Sequence, residues 1–176
     1  QQTSCSLTDL TSSIDRILDG SGQPNIRAIK NAIQHAFSTE NWIPDEMRKP
    51  SIESYARHVL HSDQRRRYTL LALVWSEGQM SPVHAHHTWC AYSVVSGELF
   101  EEQFAYDLDS HAAVARGGAS REKGDGAYGP AGLNQIHRIR NVRRETAMSV
   151  HVYGVPASEL SSGVNNILRM VEPATV

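Results

Sequence analysis

The stretch GQMSPVHAHHTWCAYSVVSG, residues 78–97, carries two histidines in the pattern H-x-H at positions 84 and 86. In a β-strand, residues two apart point to the same side. His84 and His86 can therefore reach one metal ion, at metal–nitrogen distances of about 2.0–2.1 Å. His87 points to the other side and is not expected to be a ligand. By itself, the pattern also fits two surface histidines near a turn after Pro82.

The glycines around these histidines resemble the first of two motifs of the cupin superfamily, G-x5-H-x-H-x3/4-E-x6-G. Gly78 lies six positions before the first histidine, and Gly97 lies eleven positions after the second. A later segment resembles the second motif, G-x5-P-x-G-x2-H-x3-N, except that four residues instead of two precede its histidine. The matching residues are Gly124, Pro130, Gly132, His137 and Asn141. The resemblance implies a metal-binding cupin, a jelly-roll-like β-barrel, with His137 as the third ligand.

Cys90 stands where the cupin motif has a metal-binding glutamate. The expected site therefore has three neutral imidazoles and no carboxylate ligand. Three histidines suit iron, zinc, copper or nickel, so the ligand type leaves the metal open. An Fe(II) ion held in this way would keep its double positive charge. It would favour an anionic ligand such as a thiolate and leave room for dioxygen.

Three hydrogen-bonding side chains share one face of an expected strand near the end of the sequence: Ser149, His151 and Tyr153. They can form a hydrogen-bonded relay, or they can be the solvent face of a half-buried strand. The alternate positions are apolar: Met148, Val150 and Val152. One face is thus buried in either case, and the sequence leaves open which set points into the barrel.

Together, the H-x-H pair, a third histidine about fifty residues later and the S-x-H-x-Y segment resemble the thiol dioxygenases. This cupin family includes cysteine dioxygenase and 3-mercaptopropionate dioxygenase, and the resemblance covers about residues 55–153. It implies an Fe(II) site with the ligands His84, His86 and His137. It also implies a relay of Ser149, His151 and Tyr153, with the Tyr153 hydroxyl near the iron. The implied partners are a small thiol carboxylate and dioxygen.

Two further positions bear on the substrate and on a covalent link. Arg57, in Tyr55-Ala56-Arg57, resembles the arginine with which cysteine dioxygenases hold the substrate carboxylate, a group that guanidinium binds bidentately. Cys90 aligns with the cysteine that forms a thioether with the relay tyrosine, here Tyr153, in mammalian-type enzymes. It lies four residues after His86, one fewer than in that type. The alternative interpretation is that Arg57 is a surface helix residue and that Cys90 is a small thiol that fills space in the core.

The evidence on the substrate is divided. Arg57 favours L-cysteine, which would be oxidised to cysteine sulfinate. The segment Gly154-Val155-Pro156 looks more like the 3-mercaptopropionate branch of the family. Two alternatives belong to other classes: a zinc or manganese cupin isomerase or hydrolase, and a cupin that binds without catalysis.

The remaining sequence is typical of one globular domain over residues 1–176. A hydrophobic content of 40% and a net charge of −2 indicate neither nucleic acid nor an anionic membrane as partner. No apolar run approaches the roughly 20 residues of a membrane span, and the first residues do not resemble a signal peptide. Two cysteines make no disulfide framework. We therefore expect a cytoplasmic protein.

Periodicity divides the sequence into a mainly helical part, residues 1–62, and a β-barrel, residues 63–176. Helices are expected over 7–18 and 26–37, with a third short helix over 51–60. The run Arg65-Arg66-Arg67 is expected to be a solvated turn. Strands are expected over 68–75, 90–95, 98–106, 111–115, 136–142 and 147–153.

Overall fold

A computed structural model describes residues 5–171 of the protein. They form two α-helices and ten β-strands, with one 3-10 helix before the first strand and another before the last. The α-helices are α1 (Leu7–Leu18) and α2 (Ile26–Ala36), and the 3-10 helices are Asp45–Arg48 and Ala157–Glu159. The strands are β1 (Ala56–Ser62), β2 (Thr69–Trp75), β3 (His84–His86), β4 (Cys90–Ser96), β5 (Glu98–Asp107), β6 (Ala112–Glu122), β7 (Gly126–Gly129), β8 (Gly132–Arg140), β9 (Ala147–Tyr153) and β10 (Asn165–Ile167).

The strands form two five-stranded sheets, in the orders β1-β2-β9-β4-β7 and β10-β3-β8-β5-β6. Every strand pairing is antiparallel. The inner faces of the two sheets share a core that includes Trp75 of β2, Leu99 of β5 and Ile139 of β8. A mainly β barrel with a helical N-terminal segment is thus confirmed as the fold class.

The two helices begin where the sequence provides capping side chains. The Ser6 hydroxyl accepts from the Asp9 backbone N–H, and the Asp9 carboxylate accepts in return from Ser6, which is a capping box. Asn25 caps α2 in a similar way. The apolar faces of both helices pack on the outer face of the first sheet. The helix residues in this core are Leu10, Ile14, Ile29, Ile33 and Ala36.

Strand β9 is buried on both faces because the helices cover its outer side. Met148, Val150 and Val152 lie in the core that includes the helices. The alternate residues, Ser149, His151 and Tyr153, therefore point into the barrel, and all three are buried. The structure thus decides between the two orientations that the sequence left open.

The expected third helix over residues 51–60 is wrong. Residues 56–62 form strand β1, which pairs with β2 in the register Arg57↔Leu73. The exposed edge of β2 offers unpaired backbone groups, and the hydrogen bonds to it override the weak helical periodicity of this short segment. The helical part of the chain consequently ends before residue 56, and Arg57 lies on a strand.

The arginine run in the β1–β2 turn is only partly a solvated turn. Arg65 and Arg66 are exposed, but Arg67 is 19% exposed and binds three carboxylates of Asp63, Asp15 and Asp19. Burial alone would raise the pKa of Asp63, but the hydrogen bonds and charge of Arg67 outweigh it and lower this pKa to about 2. Arg67 therefore connects α1 to the barrel.

Neither α-helix within residues 5–171 has the length and apolar content that crossing a membrane requires.

Candidate active site

Three buried histidines meet inside the barrel. Strand β3 supplies His84 and His86, and the neighbouring strand β8 supplies His137, which is the direct cross-strand partner of His84. One possible ligand atom from each ring lies within 4.8 Å of the others. The three residues are 5%, 4% and 9% exposed. His87 is exposed and lies outside this cluster.

Hydrogen bonds set the orientation of two of these rings. His84 Nδ1 lies 2.8 Å from the Pro82 carbonyl oxygen, and His137 Nδ1 lies 2.7 Å from Glu101 Oε1. Both oxygens accept, so each Nδ1 carries the proton and donates it. The Nε2 lone pair of each ring is then available, as in most metal-binding histidines.

His84 and His86 are held in the neutral form that metal ligation needs. Burial, followed by the charge of His137, lowers the pKa of His84 to about 3 and that of His86 to about 2. The donor set is three imidazole nitrogens without a carboxylate. It fits a divalent ion of the iron, zinc or copper type.

Glu101 is part of this site, and the sequence analysis did not identify it. The carboxylate is 3% exposed, and it accepts from His137 on one oxygen and from Arg121 on the other, at 2.8 Å from Nε and 2.7 Å from Nη2. Burial would raise the pKa of Glu101, but the contacts with His137 and Arg121 lower it to about 2. A signal was available, because β5 alternation puts this acid on the inward face with Leu99.

The Ser149, His151 and Tyr153 side chains form a continuous hydrogen-bonded relay. Ser149 Oγ lies 2.9 Å from His151 Nε2, and His151 Nδ1 lies 3.1 Å from Tyr153 Oη. Trp75 Nε1 extends the relay by donating to Ser149 Oγ at 3.0 Å. A neutral imidazole carries one N–H. If the His151 ring gives a proton to a partner at one nitrogen, it takes up a proton from the other partner at its second nitrogen.

Burial keeps the middle and the end of this relay uncharged near neutral pH. It lowers the pKa of His151 to about 3, with the charge of His137 acting in the same direction. It raises the pKa of Tyr153 well above the usual value, and Cys90 acts in the same direction. Tyr153 therefore keeps its phenolic proton. The His151 ring is also held by stacking on Tyr92, with centroids 4.9 Å apart.

A cavity that opens to solvent connects two of the three histidines, the His151–Tyr153 end of the relay and Arg57. Arg57 is exposed at its mouth, and its Nη2 donates to Tyr55 Oη at 2.9 Å. Tyr55 in turn stacks on Trp75, with centroids 4.2 Å apart. The other lining residues are Leu71, Leu73, Ser81, His84, His137, Ile139, His151, Tyr153, Leu160, Val164 and Asn165. The cavity suits a small molecule with an anionic group at the Arg57 end.

Cys90 and Tyr153 are direct cross-strand partners on β4 and β9. Such partners have Cβ atoms about 4.5–5.5 Å apart. Cys90 is 4% exposed, and burial raises the pKa of its thiol. The register thus brings together the two residues of the expected thioether, and the bond itself stays a prediction.

Comparison with known proteins gives one family and a set of relatives. The model of the family described as cysteine dioxygenase type I matches residues 24–162. Human cysteine dioxygenase type 1 is 29% identical over 105 residues, which are 58% of this chain and 52% of the human protein. The Danio rerio protein of the same name is 26% identical over 155 residues, 85% of this chain and 75% of that one. The chain thus spans about half the length of the human relative.

Two crystal structures have the same fold. The TT1209 protein of Thermus thermophilus covers 64% of this chain and 96% of its own, with 21% identity and a TM-score of 0.50. A Klebsiella pneumoniae protein with a double-stranded β-helix domain covers 67% of this chain and 93% of its own, with 22% identity and a TM-score of 0.50. The double-stranded β-helix of the cupins, which the two glycine–histidine motifs predict, is confirmed.

Proposed function

Because the chain belongs to the cysteine dioxygenase type I family, we propose that it oxidises the sulfur of a small thiol carboxylate with dioxygen. The preferred substrate is L-cysteine and the product cysteine sulfinate. The reaction balances without another reductant, since the sulfur loses four electrons and dioxygen accepts four. Both oxygen atoms enter the product, and the thiol proton is released.

The observation that carries this proposal is the shared cavity. Two of the three clustered histidines, His84 and His137, line one cavity together with Arg57 and Tyr153 of the relay. His84, His86 and His137 would hold the metal. We propose Fe(II), which when bound would supply the activation of dioxygen.

Arg57 would bind the substrate carboxylate. Its guanidinium carries five N–H donors, and within residues 5–171 only Nη2 makes a hydrogen bond, to Tyr55 Oη. The Tyr55 ring, 5.2 Å from the guanidinium carbon, also limits the directions that the arginine can take. Binding at Arg57 would direct the thiol of a short substrate toward the histidines.

Tyr153 would donate a hydrogen bond from Oη to the reacting sulfur and oxygen atoms. The phenol keeps its proton because burial raises its pKa. His151 and Ser149 would return a proton to Oη through Nδ1 and Nε2 of the imidazole. We also propose that Cys90 Sγ bonds covalently to the Tyr153 ring, with loss of two hydrogens to dioxygen as oxidant. That bond would fix the ring in the cavity.

3-Mercaptopropionate is the alternative substrate, favoured by the Gly154-Val155-Pro156 segment. The structure gives this glycine another explanation, because a Cβ at Gly154 would collide with the Trp89 indole and the Thr88 hydroxyl. Packing alone thus requires glycine, and the segment carries less information on the substrate than its sequence suggests. The cytoplasm stays the expected location.

The test is oxygen uptake by protein loaded anaerobically with Fe(II), with L-cysteine and 3-mercaptopropionate compared and the sulfinate quantified by mass spectrometry. We expect one sulfinate per dioxygen and a higher kcat/KM for L-cysteine. The same protein loaded with zinc, which has no redox chemistry, should consume no dioxygen. Iron-loaded protein that consumes none with either thiol would refute the proposed activity. That result would favour a zinc or manganese isomerase or a binding protein.

A further inference from the structure

Asn165 places a carboxamide beside the three histidines. It opens β10, which pairs with β3 in the register Asn165↔His86. Cross-strand partners share one face of the sheet, with Cβ atoms about 4.5–5.5 Å apart. The Asn165 side chain therefore lies on the face of His86, inside the barrel, where it lines the same cavity as Arg57 and Tyr153.

This carboxamide differs from the other side-chain oxygens of the cavity because the protein does not engage it. Tyr55 Oη accepts from Arg57, Ser81 Oγ donates to a carbonyl and accepts from the Ile139 N–H, and Tyr153 Oη bonds to His151. Within residues 5–171, the Asn165 side chain has no such partner. Its oxygen is thus available to a ligand.

Among the residues that the structure describes, no carboxylate lines the cavity to accept from an amino group. Arg57 only donates, and the imidazole lone pairs of His84 and His137 face the metal position. A neutral amide oxygen is also compatible with Arg57, whereas an acid would pair with the guanidinium and repel the substrate carboxylate. Asn165 Oδ1 is therefore the acceptor that suits an N–H on the carbon next to that carboxylate.

We propose that Asn165 is a specificity-determining residue, whose carboxamide oxygen accepts a hydrogen bond from the 2-amino group of a thiol carboxylate. This inference rests on the proposed thiol dioxygenase function and deepens it. The contact selects L-cysteine over 3-mercaptopropionate, which has the same thiol and carboxylate but no amine. When 3-mercaptopropionate is bound, water can donate a hydrogen bond to the amide oxygen instead, because Asn165 is half-buried. The expected preference is therefore moderate, about tenfold.

The test compares Asn165→Leu with Asn166→Leu in otherwise identical protein. Asn166 is the matched control because it has the same residue type and similar burial, but it pairs with Ala85 on the opposite face and does not line the cavity. For each variant, kcat/KM is measured with both thiols. Anaerobic calorimetry on the Fe(II)-loaded protein gives the Kd of each thiol without turnover.

For L-cysteine, we expect Asn165→Leu to lower kcat/KM about tenfold and to raise Kd about tenfold. For 3-mercaptopropionate, both constants should change less than threefold. Asn166→Leu should leave unchanged the ratio of kcat/KM between the two thiols and the ratio of their Kd values. An unchanged ratio in Asn165→Leu, or equal losses with both thiols, overturns the proposal. If the parent protein consumes no dioxygen, the proposed activity fails, and the Kd ratio alone decides the role of Asn165. Failure of the parent protein to bind either thiol overturns both.

Discussion

His137 Nδ1 donates to Glu101 Oε1 across 2.7 Å, although the two residues are 36 positions apart in the sequence. The other oxygen of the same carboxylate accepts from Arg121. The chain guanidinium–carboxylate–imidazole fixes the proton on Nδ1 and leaves the Nε2 lone pair available to a metal. Glu101 therefore acts on the site through His137, as a positioning residue.

Replacing Glu101 by glutamine should weaken metal binding about 10–100-fold, the usual effect of removing such a partner. The amide is neutral, and it cannot accept from both His137 and Arg121 through two oxygens. Metal affinity is measured by competition with a chelator, and circular dichroism reports the fold. Glu102→Gln is the matched control, because Glu102 pairs with Arg138 away from the histidines. Equal affinities in the two variants would contradict the role of Glu101.

His137→Ala should lose the metal, whereas His87→Ala should retain it. The first substitution leaves two of three imidazoles, and the second removes an exposed ring outside the cluster. Elemental analysis after iron loading gives the metal content of each purified protein. A full metal content in His137→Ala would show that the assignment of ligands is wrong.

Tyr153→Phe should keep the metal but slow turnover about 10–100-fold. The substitution removes only the hydroxyl, which bonds to His151 and faces the cavity. Steady-state oxygen uptake and metal content are measured on the same preparation. Tyr106→Phe, which removes a hydroxyl on the outside of the barrel near His111, should behave as the parent protein. Unchanged turnover in Tyr153→Phe would remove the relay from the mechanism.

The iron-loaded protein, after turnover, should contain a fraction whose intact mass is lower by two hydrogen atoms. This is the mass change of a thioether between Cys90 and Tyr153, which the β4–β9 register makes neighbours. Cys90→Ala should abolish the lighter species, and Cys5→Ser should leave it. A Cys90 that is fully alkylated in the unfolded protein after extended turnover would argue against the bond.

Asp63→Asn should destabilise the protein near neutral pH and flatten the loss of stability in acid. The folded-state pKa of Asp63, about 2, lies below the unfolded value of about 3.9. The ionised carboxylate therefore contributes stability above pH 4, and this contribution is lost as pH falls from about 4 through 2. Urea unfolding at pH 7 and pH 3 gives the free energies.

Asp45→Asn is the control for this measurement, because the Asp45 side chain is 94% exposed beside Arg48. Exposed pairs contribute about 0–1 kcal/mol, so this variant should follow the parent protein at both pH values. If the free energy of unfolding falls by the same amount between pH 7 and pH 3 in Asp63→Asn and in the parent protein, the ion pair of Asp63 with Arg67 does not contribute to stability.

The sequence by itself determined the features that depend on neighbouring residues. A strand places every second side chain on one face, so His84 with His86, and Ser149 with His151, share a face wherever the strand lies. The helical periodicity and the capping residue Ser6 are equally local. For this reason α1, α2 and the strands before and after Ser96-Gly97 could be predicted from the sequence.

Only the tertiary structure decided what depends on distant segments. The helices cover one face of β9, and this turns Ser149, His151 and Tyr153 inward. The register of β3, β5 and β8 brings Glu101 to His137, and that of β10 brings Asn165 to His86. The free edge of β2 makes residues 56–62 a strand, and α1 provides partners for Arg67. Strand pairing and packing depend on residues that are distant in the sequence, so the local pattern of a segment does not predict them.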